Sequence, residues 1–265
     1  MSAMFEIRKN TRAKLKQKLA DRERVFGGWV SYREPAIAET FAKADFDFVA
    51  IDMEHTTITT DEANRIITSV QSEGVTCLPR PVSHNNDYIK PMLEAGADGM
   101  IIPVVNTRAE VEEQVRLQKF PPLGQRNYGV NRAHGYGFDF KPYIDTWNDC
   151  SIFIIQVETI TGVNNIKDLV NVPGLDAVMI GPYDISGSLG VPGETNHPKV
   201  REAAKHVVDV CAKAGISCMT QIADVNKDAV DDAFAQGYTS VILGSDLFIL
   251  WKWAADMKSL MAEWR

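Results

Sequence analysis

The sequence predicts an α/β fold, a TIM (β/α)8 barrel that spans residues 1–265 as one domain, with a covering helix at its N-terminus and a long loop before strand five. Short apolar, β-branched runs alternate with segments of helical periodicity, which argues for parallel strands joined by crossover helices. The alternation repeats eight times in 265 residues, the length and count of a closed barrel rather than an open sheet. Polar and charged residues gather where the apolar runs end, which is where such barrels carry their sites.

The elements follow in order. Leu15 and Leu19, one turn apart among Arg8, Lys9, Arg12, Lys14, Lys16 and Lys18, mark an amphipathic helix lying over the fold. Val25 to Val30 is strand one, and Pro35 opens a helix running to Ala44. The segment from Phe46 to Ile51 is strand two; Thr59, Thr60 and Asp61 start a helix with Ala63, Ile66, Ile67 and Val70 on one face, closed at Gly74. Thr76 to Val82 is strand three, Asp87 to Ala95 a helix, Gly99 to Val105 strand four, and Thr107 to Lys119 a helix. Phe120 to Asn148, rich in Pro and Gly, reads as a functional loop or lid at one rim. Strands five to eight are Ser151–Glu158, Asp176–Gly181, Ser217–Ile222 and Ser240–Gly244. Their helices are Val163–Val170, Pro198–Ala214, Lys227–Ala235 and Leu247–Trp264.

Composition excludes several classes of function. A net charge of -7 and a pI near 5.3 leave no basic footprint for nucleic acid. No apolar run is long enough to span a membrane, and the first thirty residues lack a signal-peptide core, so export is not expected. Cys77, Cys150, Cys211 and Cys218 form no CxxC pair, as expected of free thiols in a reducing cytoplasm.

Chemistry concentrates at four strand ends. Strand two runs into Asp52-Met53-Glu54-His55, poor material for a core and good material for a site. Strand three ends at Arg80, strand five at Gln156-Val157-Glu158, and strand six at Gly181-Pro182-Tyr183-Asp184. Glu158 and Asp184, on adjacent strands, are hard oxygen donors suited to Mg²⁺, Mn²⁺ or a similar divalent ion; alternatively each caps the following helix. His55 is either a general base or orienter of a catalytic water, or a structural histidine bonded to Asp52, its orienter in either case. Arg80 either neutralises a developing oxyanion or pairs with one of the acids. No Lys stands at an apolar strand end to form a Schiff base.

These residues resemble the HpcH/HpaI metal-dependent (class II) pyruvate aldolases over the full length from Gly27-Gly28-Trp29. The matching motifs are Ile51-Asp52-Met53-Glu54-His55, Arg80-Pro81, Leu93-Glu94-Ala95-Gly96-Ala97, Phe120-Pro121-Pro122, Gln156-Val157-Glu158-Thr159 and Gly181-Pro182-Tyr183-Asp184-Ile185-Ser186. The resemblance implies reversible aldol cleavage of a 4-hydroxy-2-oxo acid, of the 4-hydroxy-2-oxoheptanedioate or 2-dehydro-3-deoxyglucarate kind, to pyruvate and an aldehyde. It implies that His55 is the base acting with a water, that Arg80 stabilises the enolate, and that Glu158 and Asp184 hold a divalent Mg²⁺, Mn²⁺ or Co²⁺. Gln156 and the Tyr183 backbone would touch the 2-oxo acid, with Gly181, Pro182 and Trp29 beside it. Glu94 falls where the family has an Asp that raises the basicity of the catalytic His. It also implies a homohexamer, a trimer of dimers exchanging the last helix.

Met53, Gln125-Arg126-Asn127-Tyr128-Gly129-Val130, Tyr183 and Thr220-Gln221-Ile222 depart from the family pattern and point to an altered aldehyde-recognising half. Two other readings stand beside this one: an oxaloacetate-type decarboxylase using the same enolate chemistry, and a non-catalytic barrel that binds 2-oxo acids.

Overall fold

The computed structural model describes residues 2–265. Helix α1 (Ala3–Ala20) precedes strand β1 (Val25–Val30) and helix α2 (Pro35–Ala42). Then come β2 (Phe48–Asp52), α3 (Thr60–Ser72), β3 (Thr76–Arg80), α4 (Asn86–Glu94), β4 (Gly99–Ile102) and α5 (Arg108–Gln118). A 3₁₀ turn (Arg132–Gly137) and α6 (Phe140–Cys150) lead to β5 (Ile152–Val157), α7 (Ile160–Leu169) and β6 (Ala177–Ile180). The chain ends with α8 (Pro182–Ser188), α9 (Pro198–Ala214), β7 (Ser217–Ile222), α10 (Lys227–Ala235), β8 (Ser240–Leu243) and α11 (Asp246–Ala262).

All strand pairs are parallel, in the order β3-β2-β1-β8-β7-β6-β5-β4. The two end strands meet at the base, where the Asp98 amide donates to the Cys77 carbonyl at 3.0 Å. The sheet is thus a nearly closed barrel, as the alternation predicts.

The period of two along each strand divides the residues between two cores. Phe48 and Ala50, Leu78, Ile152 and Ile154, Met179, Met219 and Ile242 fill the barrel interior. Val49, Ile51, Cys77, Phe153, Ile155, Val178 and Val241 face the helices. Gly27 belongs to the interior scheme: a Cβ there would come within 2.4 Å of the Phe48 ring. Helix α1 plugs the base, sending Leu15 and Leu19 into the interior cluster. The covering helix is therefore present as expected.

The stretch before strand five differs from the expectation. Phe120–Asn148 is not a lid: much of it is the 3₁₀ turn and α6, whose Tyr143 and Trp147 are fully buried. Because α5 has carried the chain back to the amino ends of the strands, this segment packs under the barrel beside α1, at the rim opposite the strand carboxyl ends. Pro142 is compatible with a helix because it sits in the first turn, where an N–H has no helical partner. Helix α8, opened by Pro182, was absent from the sequence reading.

Candidate active site

The next inward position above the interior core is polar on several strands. Asp52 follows Ala50, Arg80 follows Leu78, Gln156 follows Ile154, and Gln221 follows Met219, each two residues on. Asp52 and Arg80 are direct register partners on β2 and β3. Together with Trp29, His55, Gly181, Pro182, Tyr183 and Asp184 they line a cavity of about 370 Å³ at the mouth.

Arg80 is the hub of this site, 6% exposed. Its guanidinium meets Asp52 Oδ2 at 2.9 Å, Glu54 Oε2 at 3.1 Å and the Gln156 Oε1 at 3.1 Å, and lies 4.7 Å above the Trp29 ring. Gln156 in turn donates from Nε2 to Glu158 Oε2 at 2.5 Å. Glu158 is buried, and its Oε1 accepts the Val104 amide at 2.7 Å. Val104 has φ +51°, a conformation costly for a β-branched residue and characteristic of functional sites. Gly181 is required beside it, since a Cβ there would stand 2.8 Å from the Glu158 Cβ.

Burial pushes the Glu158 carboxyl up to about 7, and the charges of Glu54 and Asp184 push in the same direction. Glu54 is raised too, first by burial, with Arg80 and His55 opposing. Glu54 Oε2 is held by the ion pair with Arg80, without hydrogen-bond geometry among the described residues. Asp52, Glu54, Glu158 and Asp184 thus share one arginine, an imbalance that a divalent cation would correct. The hard oxygen donors of Glu158 and Asp184 fit such an ion and leave the remaining positions to water and substrate. No three His, Cys, Asp or Glu side chains among the described residues form a cage on their own. Asp184 is not a helix cap: Gly181 occupies that position, and Asp184 lies exposed in the first turn of α8.

Several sequence expectations change. Asp52 does not bond the His55 imidazole; its Oδ1 accepts the backbone amides of Glu54 and His55 at 3.1 and 3.2 Å, so it fixes the turn carrying the histidine. The carboxylate facing the exposed imidazole is that of Glu54, 3.7 Å from Nε2, a residue given no role from sequence. Glu94 is not brought to His55 within this chain. It ends α4, near the amino end of β4, and pairs with Arg126 at 3.3 Å. Arg126 carries the rest of the divergent Gln125–Val130 stretch to that same rim, away from the cavity. Met53 is buried in the core between sheet and helices. Tyr183 and Gln221 are the departures that do line the cavity.

The fold and these strand-end groups define a (β/α)8 barrel with an acid-rich, arginine-centred mouth. The chain belongs to the HpcH/HpaI aldolase/citrate lyase family, whose model matches residues 26–252. It is 34% identical over 207 residues to a hydroxypyruvate/pyruvate aldolase of Roseobacter denitrificans, covering 76% of this chain and 80% of that one. It is 30% identical over 248 residues to the 2-keto-3-deoxy-L-rhamnonate aldolase of Escherichia coli K12, covering 93% and 91%. A crystal structure of an HpcH/HpaI aldolase/citrate lyase family protein from Burkholderia cenocepacia superposes with a TM-score of 0.87 at 28% identity, covering 96% of this chain and all of that one.

Proposed function

We propose that this protein catalyses reversible, divalent-metal-dependent aldol cleavage of a 4-hydroxy-2-oxo acid to pyruvate and an aldehyde. The observation that carries the reading is the surplus of carboxylates gathered around Arg80 at the barrel mouth, where Asp52 and Glu54 pair with it and Glu158 lies buried beside Gln156. The aldolase names of the relatives support it.

Glu158 and Asp184 would hold the ion, Mg²⁺, Mn²⁺ or Co²⁺, which supplies Lewis-acid polarisation of the 2-oxo group. Arg80, rigidly held by Asp52 and Gln156, presents positive charge to the oxygen that becomes an enolate. His55, exposed at the mouth with Glu54 behind it, takes the 4-hydroxyl proton through a water. The bond between C3 and C4 then breaks, its electron pair passes into the C2–C3 enolate, and the aldehyde departs. Protonation at C3 gives pyruvate. Gly181 and Pro182 shape the floor beside Glu158, and Trp29 closes the cavity against Arg80.

We also propose a homo-oligomer built through α11, as in a hexamer with exchanged last helices. Ile249, Leu250, Trp251, Trp253, Leu260 and Trp264 on this segment are all exposed, an apolar surface a monomer rarely leaves bare. The four cysteines are free and buried, in keeping with a cytoplasmic protein; no helix is long and apolar enough to cross a membrane.

The test is cleavage of 4-hydroxy-2-oxo acids, with pyruvate release coupled to lactate dehydrogenase, in the presence of Mn²⁺ and of a chelator. His55→Ala and Glu158→Ala should each abolish turnover. Unchanged turnover in both variants overturns the assignment. Decarboxylation of oxaloacetate with no aldehyde product from any 4-hydroxy-2-oxo acid would favour the decarboxylase reading.

A further inference from the structure

Helix α11 runs for 17 residues, and the one side chain it buries within the chain is a carboxylate, that of Asp246. Asp246 is 3% exposed. Its Oδ1 accepts the Ser31 amide at 2.8 Å and the Leu247 amide at 2.7 Å, and its Oδ2 accepts the Tyr32 amide at 2.9 Å. Ser31 and Tyr32 follow the end of β1, 215 residues from Asp246 in the case of Ser31. One carboxylate thus ties the loop after β1 to the first turn of α11. Both stretches face the cavity. Ser31 lines it two residues beyond Trp29, the inward position that the strand period dictates. Ser245, Leu247 and Phe248 line it from the side of α11.

We infer that Asp246 is a positioning residue of the reaction: it locks the loop after β1 to the start of α11 and so holds one wall of the mouth in place. The inference rests on the aldolase reading and adds a residue to its machinery. Leu247 and Phe248 take their places from this lock rather than from packing of the helix on its own barrel, since the other α11 side chains are exposed or half-buried. Packing of α11 on a second copy would act on the helix beyond Asp246. The lock therefore also stands between that assembly and the mouth.

The residue type follows from the task. Three amides converge from two elements, so the side chain needs an acceptor on each of two oxygens and no donor, which an ionised carboxylate supplies. Burial pushes the Asp246 carboxyl up, and the amides of Tyr32, Ser31 and Leu247 pull against it. Charge-assisted bonds and the amino end of α11 offset the cost of taking the charge out of water. An asparagine has the same shape but one acceptor oxygen. Its NH₂ would face an amide N–H across the lock, leaving that donor unpaired and the charge gone.

The test compares Asp246→Asn with Asp139→Asn in the full chain. Asp139 is the counterpart at the base, 4% exposed, with Oδ1 accepting the Ser2 amide at 2.8 Å and Oδ2 the Ser2 hydroxyl. Hydrogen–deuterium exchange at the Ser31 and Tyr32 amides should quicken by about tenfold or more in Asp246→Asn and stay as in wild type in Asp139→Asn. Cleavage is followed with Mn²⁺ on 4-hydroxy-2-oxopentanoate, or on the first 4-hydroxy-2-oxo acid that the wild type turns over. For Asp246→Asn KM should rise about fivefold or more with kcat within about threefold, since a wall touches ground state and transition state alike. Its Mn²⁺ affinity should stay within about twofold, because Glu158 and Asp184 follow β5 and β6 and share no bond with Asp246. Asp139→Asn should lower the unfolding midpoint with kcat and KM both within about twofold. Rates per Mn²⁺-binding site cancel any difference in folded fraction.

Unchanged exchange at Ser31 and Tyr32, an unmoved KM, or the same KM change in Asp139→Asn overturns the inference and leaves the aldolase reading standing. So does a loss of activity in Asp246→Asn that appears only with a loss of assembled mass in light scattering. If the two amides open in Asp246→Asn while the wild type cleaves no 4-hydroxy-2-oxo acid, the aldolase reading falls and takes the assignment to the reaction with it.

Discussion

The two ends of the barrel both bury like charges, and they resolve them differently. At the base, Arg8 and Arg132 converge on Gly96, and among the described residues neither has a carboxylate within salt-bridge distance. Burial lowers both, and each cluster neighbour of like charge lowers them further: Arg12 acts on Arg8, and Arg8 on Arg132. Yet the end of α4 absorbs them. Arg126 donates to Leu93 O, Arg132 to Ala95 O and Arg8 to Gly96 O, cations on the carbonyls that a helix C-terminus leaves free. At the mouth the surplus is negative, and among the described residues Arg80 alone offsets it: it pairs with Asp52 and Glu54, while burial and the neighbouring carboxylates push the Glu158 carboxyl up. Excess charge tied to backbone is architecture; excess charge left facing a cavity is a site.

A matched pair of arginines gives the sharpest way to break this contrast. Arg80 lies between acids and over Trp29; Arg12 lies on Asp98 at 3.0 Å with its guanidinium 5.6 Å from the Trp147 ring. Arg80→Met should lower kcat/KM by about 10²–10³ or more, measured with saturating Mn²⁺. Arg12→Met should instead cost about 3–5 kcal/mol in urea unfolding, since it leaves Asp98 buried and unpaired, while kcat per folded molecule stays within about twofold. Equal activity losses in the two variants would dissolve the distinction between the ends.

A smaller effect is expected in pH dependence. Glu158 has its carboxyl raised to about 7, so in metal-free protein the folded state holds a proton there that the unfolded chain releases near the ordinary value of about 4.5. Its contribution to stability is therefore present at acid pH and lost as pH rises through about 7. Comparing wild type with Glu158→Gln, the wild type should lose stability relative to the variant between pH 5 and pH 8 without metal. Mn²⁺ needs the ionised carboxylate, so its affinity, followed by titration calorimetry, should fall about tenfold per pH unit below about 7. A pH-independent affinity would remove Glu158 from the metal site.

The smallest effect belongs to Arg8→Met at the base. Losing one cation on the α4 terminus should cost about 1–2 kcal/mol, read in thermal or urea unfolding, with Mn²⁺ affinity unchanged.

Much of this was legible in sequence because a barrel strand alternates. Ala50 then Asp52, Leu78 then Arg80, and Ile154 then Gln156 state in one dimension that a polar layer sits on an apolar one. The helices were legible from their apolar spacing and their capping residues, such as Thr59 with Glu62 and Thr107 with Glu110. The segment 120–148 was misread because its Pro and Gly content outweighed a helical signal that was present: Tyr143, Trp147 and Cys150 are spaced four and three apart and are all buried. Its rim could have been deduced from direction alone, since a helix leaving the mouth must arrive at the base.

The sequence by itself determined the eightfold alternation, the inward layer of Asp52, Arg80 and Gln156, and the placing of Glu158 and Asp184 at neighbouring strand ends. These depend on periods of two and 3.6 along one chain. Only the tertiary structure decided who pairs with whom: Glu54 rather than Asp52 faces His55, Glu94 pairs with Arg126 at the far rim, and the Val104 amide pins Glu158. Pairing depends on distances across the barrel and on which oxygen is already occupied by a backbone amide, and neither quantity is written in the spacing of residues along a chain.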